Sequence, residues 1–153
     1  MQSIENSDLE KFSDELNNLL NEIPEMRREL HEELAQAAKE EVDSQIAASV
    51  NDASGKIRAW QEPHVGSGGG YAAVRPSGSS TGANSPGAIT NYLENGHKIR
   101  KPSGNAKHYK PNIKVPYVEG RHFYEASRSA MESKAIAIAE QFADRLAERL
   151  ERG

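Results

Sequence analysis

Seven lysines and arginines stand between His97 and Arg121: Lys98, Arg100, Lys101, Lys107, Lys110, Lys114 and Arg121, with Glu119 the one acid in the stretch. Cations at that density attract phosphate oxygens without reading base sequence, and the attraction fades with salt. The same charges dock on an acidic protein surface. Tyr109 and Tyr117 lie in the stretch and offer stacking faces for bases. Four histidines, His64, His97, His108 and His122, are the candidates for metal ligation or proton transfer. No two of them have the i,i+4 spacing of a helical metal site, and no carboxylate cluster adjoins them. His97 and His108 also sit among lysines, where a bound cation is repelled. Ser127 and Ser129 lack a neighbouring base and read as surface or packing residues. Gly68-Gly69-Gly70 suggests a phosphate loop, but no Lys-Ser/Thr follows and a strand rather than a helix comes next. No catalytic, cofactor-binding or metal-ligating residue is expected, and no enzyme.

Composition narrows the classes further. The 153 residues suit one domain with a modest core. Hydrophobic content of 36% and a mean hydropathy of -0.77 imply large surfaces that are solvated or covered by partners. Without cysteine there is no disulfide, thiolate metal site or cysteine nucleophile. No run approaches the roughly 18 apolar residues of a membrane span. Met1-Gln2-Ser3-Ile4-Glu5 lacks the regions of a signal peptide, so export is not expected. Residues 1–62 hold 15 acids and 6 bases, and residues 63–153 hold 8 acids and 13 bases. A chain acidic in front and basic behind suits head-to-tail association or docking on acidic partners, although solvated helix faces also account for the N-terminal acids.

The elements that must position this basic stretch follow from periodicity. Ser7 and Glu10 form a capping box, and Leu9, Phe12, Leu16, Leu19, Leu20 and Ile23 recur at helical spacing. Pro24 suits the first turn of a new helix, so two helices are predicted, one to about Glu22 and one from Pro24 to about Val50. Asn51 to Gly55 is turn chemistry. Lys56 to Gln61 alternates like a half-buried strand, and Tyr71 to Arg75 is a second, weaker one. Glu62 to Gly70 suits a flexible hairpin loop between them. Residues 76–86 read as a mobile surface excursion. Pro86 opens a short helix that Gly96 ends as a C′ residue. Ile113, Val115 and Tyr117 alternate around Pro116, which confines them to an edge strand or extended arm. The last helix runs from about His122 to Glu151, with Phe123, Ala130, Met131, Ala135, Ile138, Phe142, Leu146 and Leu150 on one stripe. Beside it lies a strip of Ile136, Ala139, Ala143 and Ala147, suited to another helix of the same or a neighbouring subunit. The expected fold is therefore α+β, one domain over 1–153. It has helices at 7–50, a β-hairpin at 54–76, a short helix at 86–96, a basic loop or arm at 97–121 and a C-terminal helix at 122–151. Helices and a small, mainly antiparallel sheet pack together.

Three segments carry a resemblance to a known family. Asp52-Ala53-Ser54-Gly55-Lys56-Ile57-Arg58-Ala59 is similar to a turn-and-strand written Asp-Thr-Gly-x-Leu-x-x-Ser. Ile89-Thr90-Asn91-Tyr92-Leu93-Glu94-Asn95-Gly96-His97 resembles a Tyr-x-x-x-Val-Glu-x-Gly-Thr element. Arg121-His122-Phe123-Tyr124-Glu125-Ala126 resembles a Pro-x-x-Phe-hydrophobic-x-x-Ala start to a C-terminal helix. In this order they resemble the minor neck and tail-completion proteins, the head–tail joining family of long-tailed bacteriophages. The structural positions of the likeness are Gly55, Ile57, Trp60, Tyr92, Glu94, Gly96, Phe123 and Ala126. Serine stands for the family's threonine, and His97 takes a place where a small hydroxyl residue is common.

The resemblance implies a structural virion protein, phage or prophage-derived, working as a homo-oligomeric ring of which a hexamer is the favoured size. Its partners would be the head connector or stopper and the tail tube or tail terminator. Its place would be the virion neck or tail, and the host cytoplasm during assembly. No cofactor and no membrane are implied. The lysines, arginines and tyrosines of the 97–121 stretch would then meet a neighbouring acidic surface, such as the N-terminal helices, or line a DNA channel. The competing reading is a non-specific DNA-binding module using the same loop.

Overall fold

In a computed structural model residues 6–99 and 117–152 are described, apart from the side chains of residues 6–9, 12, 19 and 20. The first helix, α1, runs unbroken from Asn6 to Ser49 and carries Pro24 inside it. Two helices were expected here. Proline removes one N–H and crowds the carbonyl four residues back, at a cost of about 3 kcal/mol. Contacts flank Pro24 on both sides and offset part of that cost: Glu22 pairs with Arg149, and Arg27 and Arg28 donate to the Gly68 and Ser67 carbonyls at 3.0 and 3.1 Å, exposed contacts worth up to about 1 kcal/mol each. The helix has already begun one residue before Ser7, and the proposed Ser7 cap lies outside the described side chains.

After α1 the chain makes a short helix, α2 (Lys56–Ala59), where a strand was expected. The Asp52 carboxylate accepts from the Ile57 and Arg58 amides, both at 3.0 Å, and so closes a helical turn. Gly55 makes the approach with φ of +70°, a conformation costly to any residue with a β-carbon. Strand β1 (Gln61–Val65) therefore begins at Gln61 and takes up half of the stretch expected to be loop. It pairs with β2 (Ala72–Pro76). Bonds from Ser77 N to Trp60 O and from Gly66 N to Tyr71 O bracket the pair and fix it as antiparallel. Pro63 is accommodated because a two-stranded ribbon has only edges.

Helix α3 (Pro86–Asn95) forms as its ends predict: Ser85 accepts from Ala88 N at 3.2 Å, and Gly96 follows the last turn. Strands β3 (His97–Lys98) and β4 (Tyr117–Val118) pair antiparallel in the register His97↔Val118, Lys98↔Tyr117. Helix α4 (Phe123–Arg152) completes the chain. The fold is thus α+β, with two separate two-stranded sheets in place of the single sheet expected.

Two compact units result, and α1, α4 and the β1–β2 hairpin run through both. One unit comprises residues 1–38, 63–74 and 130–153. There α1 and α4 are linked by Arg145–Glu33 and Arg149–Glu22 pairs, and Arg27 and Arg28 hold the hairpin loop that was expected to be flexible. The other unit comprises residues 39–62 and 75–129 and, among the described residues, holds most of the buried apolar side chains, Val42, Ile46 and Phe123. Along α4 the expected inner stripe from Ala130 to Leu146 is half-buried, whereas Leu150 is exposed. The strip of Ile136, Ala139, Ala143 and Ala147 is exposed throughout.

Candidate interaction site at the base of the basic segment

The two ends of the basic stretch meet at β3 and β4, and two glycines make the meeting possible. Gly96 has φ of +76°, and a β-carbon there would lie 2.6 Å from Tyr117 Oη and 2.8 Å from Gly120 N. A β-carbon on Gly120 would in turn run into the Glu94 carbonyl and lie 2.9 Å from Gly96 N. The backbones therefore touch, and only glycine fits at either place. Tyr117 ties the crossing by donating its hydroxyl to Asn95 O at 2.9 Å.

Glu94 couples this crossing to α4. Its carboxylate accepts from the amides of Tyr124 at 2.9 Å and Glu125 at 3.3 Å, two donors that a helix start leaves without partners. A carboxylate at a helix N-terminus also meets the positive end of the helix dipole. The carbonyls of Leu93 and Glu94 take the Arg121 and His122 amides. His122, with φ of +50°, makes the turn into the helix. A residue from one helix thus caps another about thirty positions later, and the exit of the basic stretch is fixed in place.

Beneath the cap lies a buried polar cluster. Gln61 and Thr90 are 1% and 2% exposed, so each polar atom needs a partner. Gln61 Nε2 donates to Ile57 O and to Thr90 Oγ1, both at 3.1 Å, and Tyr124 Oη donates to Gln61 Oε1. Burial, and then the nearby Glu94 charge, push the Tyr124 hydroxyl well above its ordinary range, so it remains a donor. Ser127 is also buried and bonds back to Phe123 O at 2.5 Å. These groups hold α2, β1, α3 and α4 together.

Asp52 anchors the other corner. Burial raises its pKa, but the amides of Ile57 and Arg58 and the Arg58 guanidinium outweigh that and hold it below the usual carboxylate value. A depressed pKa stabilises the fold fully above the unfolded value, and that contribution is lost as pH falls through the folded one. Wild-type protein is therefore expected to lose more stability between pH 5 and about pH 2 than Asp52→Asn, as read from urea midpoints. Parallel acid limbs would show that Asp52 carries no such linkage.

The structure sorts the residues expected at the site. Lys98 and Arg121 are exposed at the two ends of the stretch, and Tyr117 is 38% exposed beside Lys98. Arg100, Lys101, Lys107, Tyr109, Lys110 and Lys114 lie outside the described residues, as do Ile113, Val115 and Pro116. Of the structural positions, Gly55, Glu94, Gly96 and Phe123 hold the turns and the core described above. Ile57 is half-buried and donates its amide to Asp52, and Trp60 lies under Lys56 Nζ, 5.1 Å from the ring centre. Tyr92 is 39% exposed with its ring 5.3 Å from that of His97. Ala126 is exposed, and Ser127, one residue on, faces the interior instead. A helix starting at Phe123 turns position 127 inward together with 123, four residues apart on one face.

Sequence reasoning missed Gln61, Thr90, Tyr124 and Gly120. Only Gly120 left a signal, a glycine just before a helix. Among the described residues His97 Nδ1 is the one buried side-chain nitrogen or oxygen without a hydrogen-bond partner. No group of three or more potential metal ligands occurs among the described residues, and no described helix is long and apolar enough to cross a membrane. Comparison with protein-family models, with curated proteins and with solved structures found no match.

Proposed function

We propose that this chain is a structural subunit of a phage or prophage-derived neck, forming a ring that completes the tail and joins it to the head connector. The observation that carries this reading is how charge is divided between the two units. The unit of residues 1–38, 63–74 and 130–153 holds 15 acids and 7 bases, a net charge of -8. The unit of residues 39–62 and 75–129 holds 8 acids and 12 bases, a net charge of +4. Opposite charges on different parts of one chain favour heterologous contacts between copies, and a heterologous contact that closes on itself makes a ring.

The fixed base of the basic stretch supports the same reading. Glycine contacts and the Glu94 cap spend conformational freedom on holding its exit in one place, which suits a contact that must repeat identically around a ring. The three segments that resemble the head–tail joining family fall at the Asp52 turn, the Glu94–Gly96 crossing and the start of α4, although the first continues into helix α2 where the family pattern has a strand. In a virion the same cations would lie near DNA passing through the ring, where weak, salt-sensitive contact is enough.

The test is charge reversal at the base. Lys98→Glu, Arg100→Glu and Lys101→Glu together are expected to leave the circular dichroism spectrum and urea midpoint unchanged. Ring formation in sedimentation, and head–tail joining in particles complemented with the variant, are expected to be lost. Normal yields of joined particles would remove the stretch from the interface. Tight duplex binding by a lone monomer, with a steep salt slope in filter binding, would replace this reading with a DNA-binding module.

A further inference from the structure

We propose that the outward face of α4 is the docking site for the basic segment 100–116 of a second copy of this chain. The inference rests on the ring reading above and names the surface that the segment grips. Ile136, Ala139, Ala143, Ala147 and Leu150 are spaced three and four apart, which places them on one face of the helix. Ile136 and Leu150 are each 56% exposed, a high value for side chains of that size, and the alanines between them are exposed too.

The charges around this face select its occupant. From Ala130 onward the bases of α4 are Lys134, Arg145, Arg149 and Arg152, and helical periodicity puts all four on the opposite side. There Arg145 and Arg149 pair with Glu33 and Glu22 of α1. The outward face is bordered instead by acids, with Glu132, Glu140 and Asp144 exposed along it. Two such faces would bring acid against acid, so the face does not suit its own copy in a second molecule. It repels nucleic acid for the same reason.

An apolar ridge edged with carboxylates fits a partner that is basic and partly apolar. Residues 100–116 carry five lysines and arginines and no acid, together with Tyr109, Ile113 and Val115. The segment leaves β3 and returns at β4 on the unit of net charge +4, and the face lies on the unit of net charge -8. Repeated from copy to copy, this contact runs head to tail. Apolar side chains cover Ile136 and Leu150, and lysines neutralise the bordering acids.

Complementary charge reversal tests the contact. One variant carries Glu132→Lys, Glu140→Lys and Asp144→Lys, and the other carries Lys101→Glu, Lys107→Glu and Lys110→Glu. All six changes keep good helix formers or lie outside the described elements, and circular dichroism checks that each variant folds. In sedimentation at low salt, each variant alone is expected to associate at least roughly tenfold more weakly than wild type. An equimolar mixture is expected to recover association. A second measurement is independent of charge. The chain has no native cysteine, so Ala143→Cys in one batch and Val115→Cys in another should give a mixed disulfide dimer on oxidation.

A mixture that fails to recover, or an absent mixed dimer, overturns the proposal. If the α4 variant assembles like wild type while the Lys101/Lys107/Lys110 variant does not, the docking face is wrong and the ring reading stands. A wild-type chain that stays monomeric at high concentration and low salt overturns both.

Discussion

Phe123→Ala is expected to destabilise the protein by about 3–5 kcal/mol, the largest loss from any single truncation among the described residues. Phe123 is 1% exposed and the largest fully buried side chain among the described residues. Its ring lies 5.0 Å from that of Tyr124, tilted by 46°, an arrangement that adds to the burial of both. Its backbone carbonyl holds the buried Ser127 hydroxyl, and the next residue receives the Glu94 cap. A cavity at this point therefore loosens the start of α4 as well as the core. Urea unfolding measures the loss. Phe142→Ala is the natural comparison, since both lie on the apolar stripe of the same helix. Phe142 is only half-buried, so its truncation is expected to cost clearly less. Equal losses would mean that the buried core extends further along α4 than its exposure indicates.

Gly96→Ala is expected to cost about 3 kcal/mol or more, from two causes that add. The first is φ of +76°, which an L-residue with a β-carbon adopts only under strain. The second is space. The new methyl would collide with the Val118 carbonyl and crowd Tyr117 Oη and Gly120 N, two of these three being backbone atoms that cannot swing aside. The His97↔Val118 pairing is expected to open as a result, freeing the base of the basic segment. Thermal unfolding reads the energetic loss, and faster proteolytic cleavage between residues 97 and 121 reads the opening. Gly78→Ala is the control. A β-carbon there meets nothing within 4 Å, so its effect is expected to stay within about 0.5 kcal/mol. Similar losses at both glycines would show that neither the positive φ nor the close approach at Gly96 sets the cost, since the lower unfolded-chain entropy of alanine acts in the stabilising direction.

The two mutations act on one piece of architecture. Phe123 fills the space beneath the start of α4, and Gly96 lets the chain cross close enough for Glu94 to cap that start. Both effects reach the basic segment, because its two ends leave from this crossing. Assembly assays on a destabilised variant therefore need the folded fraction measured alongside. The reversals at Glu132, Glu140 and Asp144 and at Lys101, Lys107 and Lys110 avoid this coupling, since none of them lies in β3, β4 or the glycine crossing.

Signals carried within a few residues were readable from the chain alone. Ser85, Pro86 and Gly96 bounded α3 because caps and turn residues act over three or four positions. The long apolar stripe placed α4 to within a residue or so at each end, and charge counting found the acidic and basic portions. Errors arose where a specific contact, five residues away or much farther, outweighed a local preference. Lys56 to Gln61 alternates like a strand, yet the Asp52 carboxylate captures two amides and winds it into a helix. Pro24 looked like a helix boundary, but α1 continues through it, with ion pairs to α4 and bonds to the hairpin loop offsetting part of the proline's cost. The Gln61–Thr90–Tyr124 cluster joins residues 29 and 63 positions apart, and no spacing rule connects them. Capping chemistry and hydrophobic periodicity act over a few positions and so are written in neighbouring residues. Which side chains end up buried, and which backbone segments touch, depends on how remote parts of the chain pack, and that emerges only when the chain closes on itself.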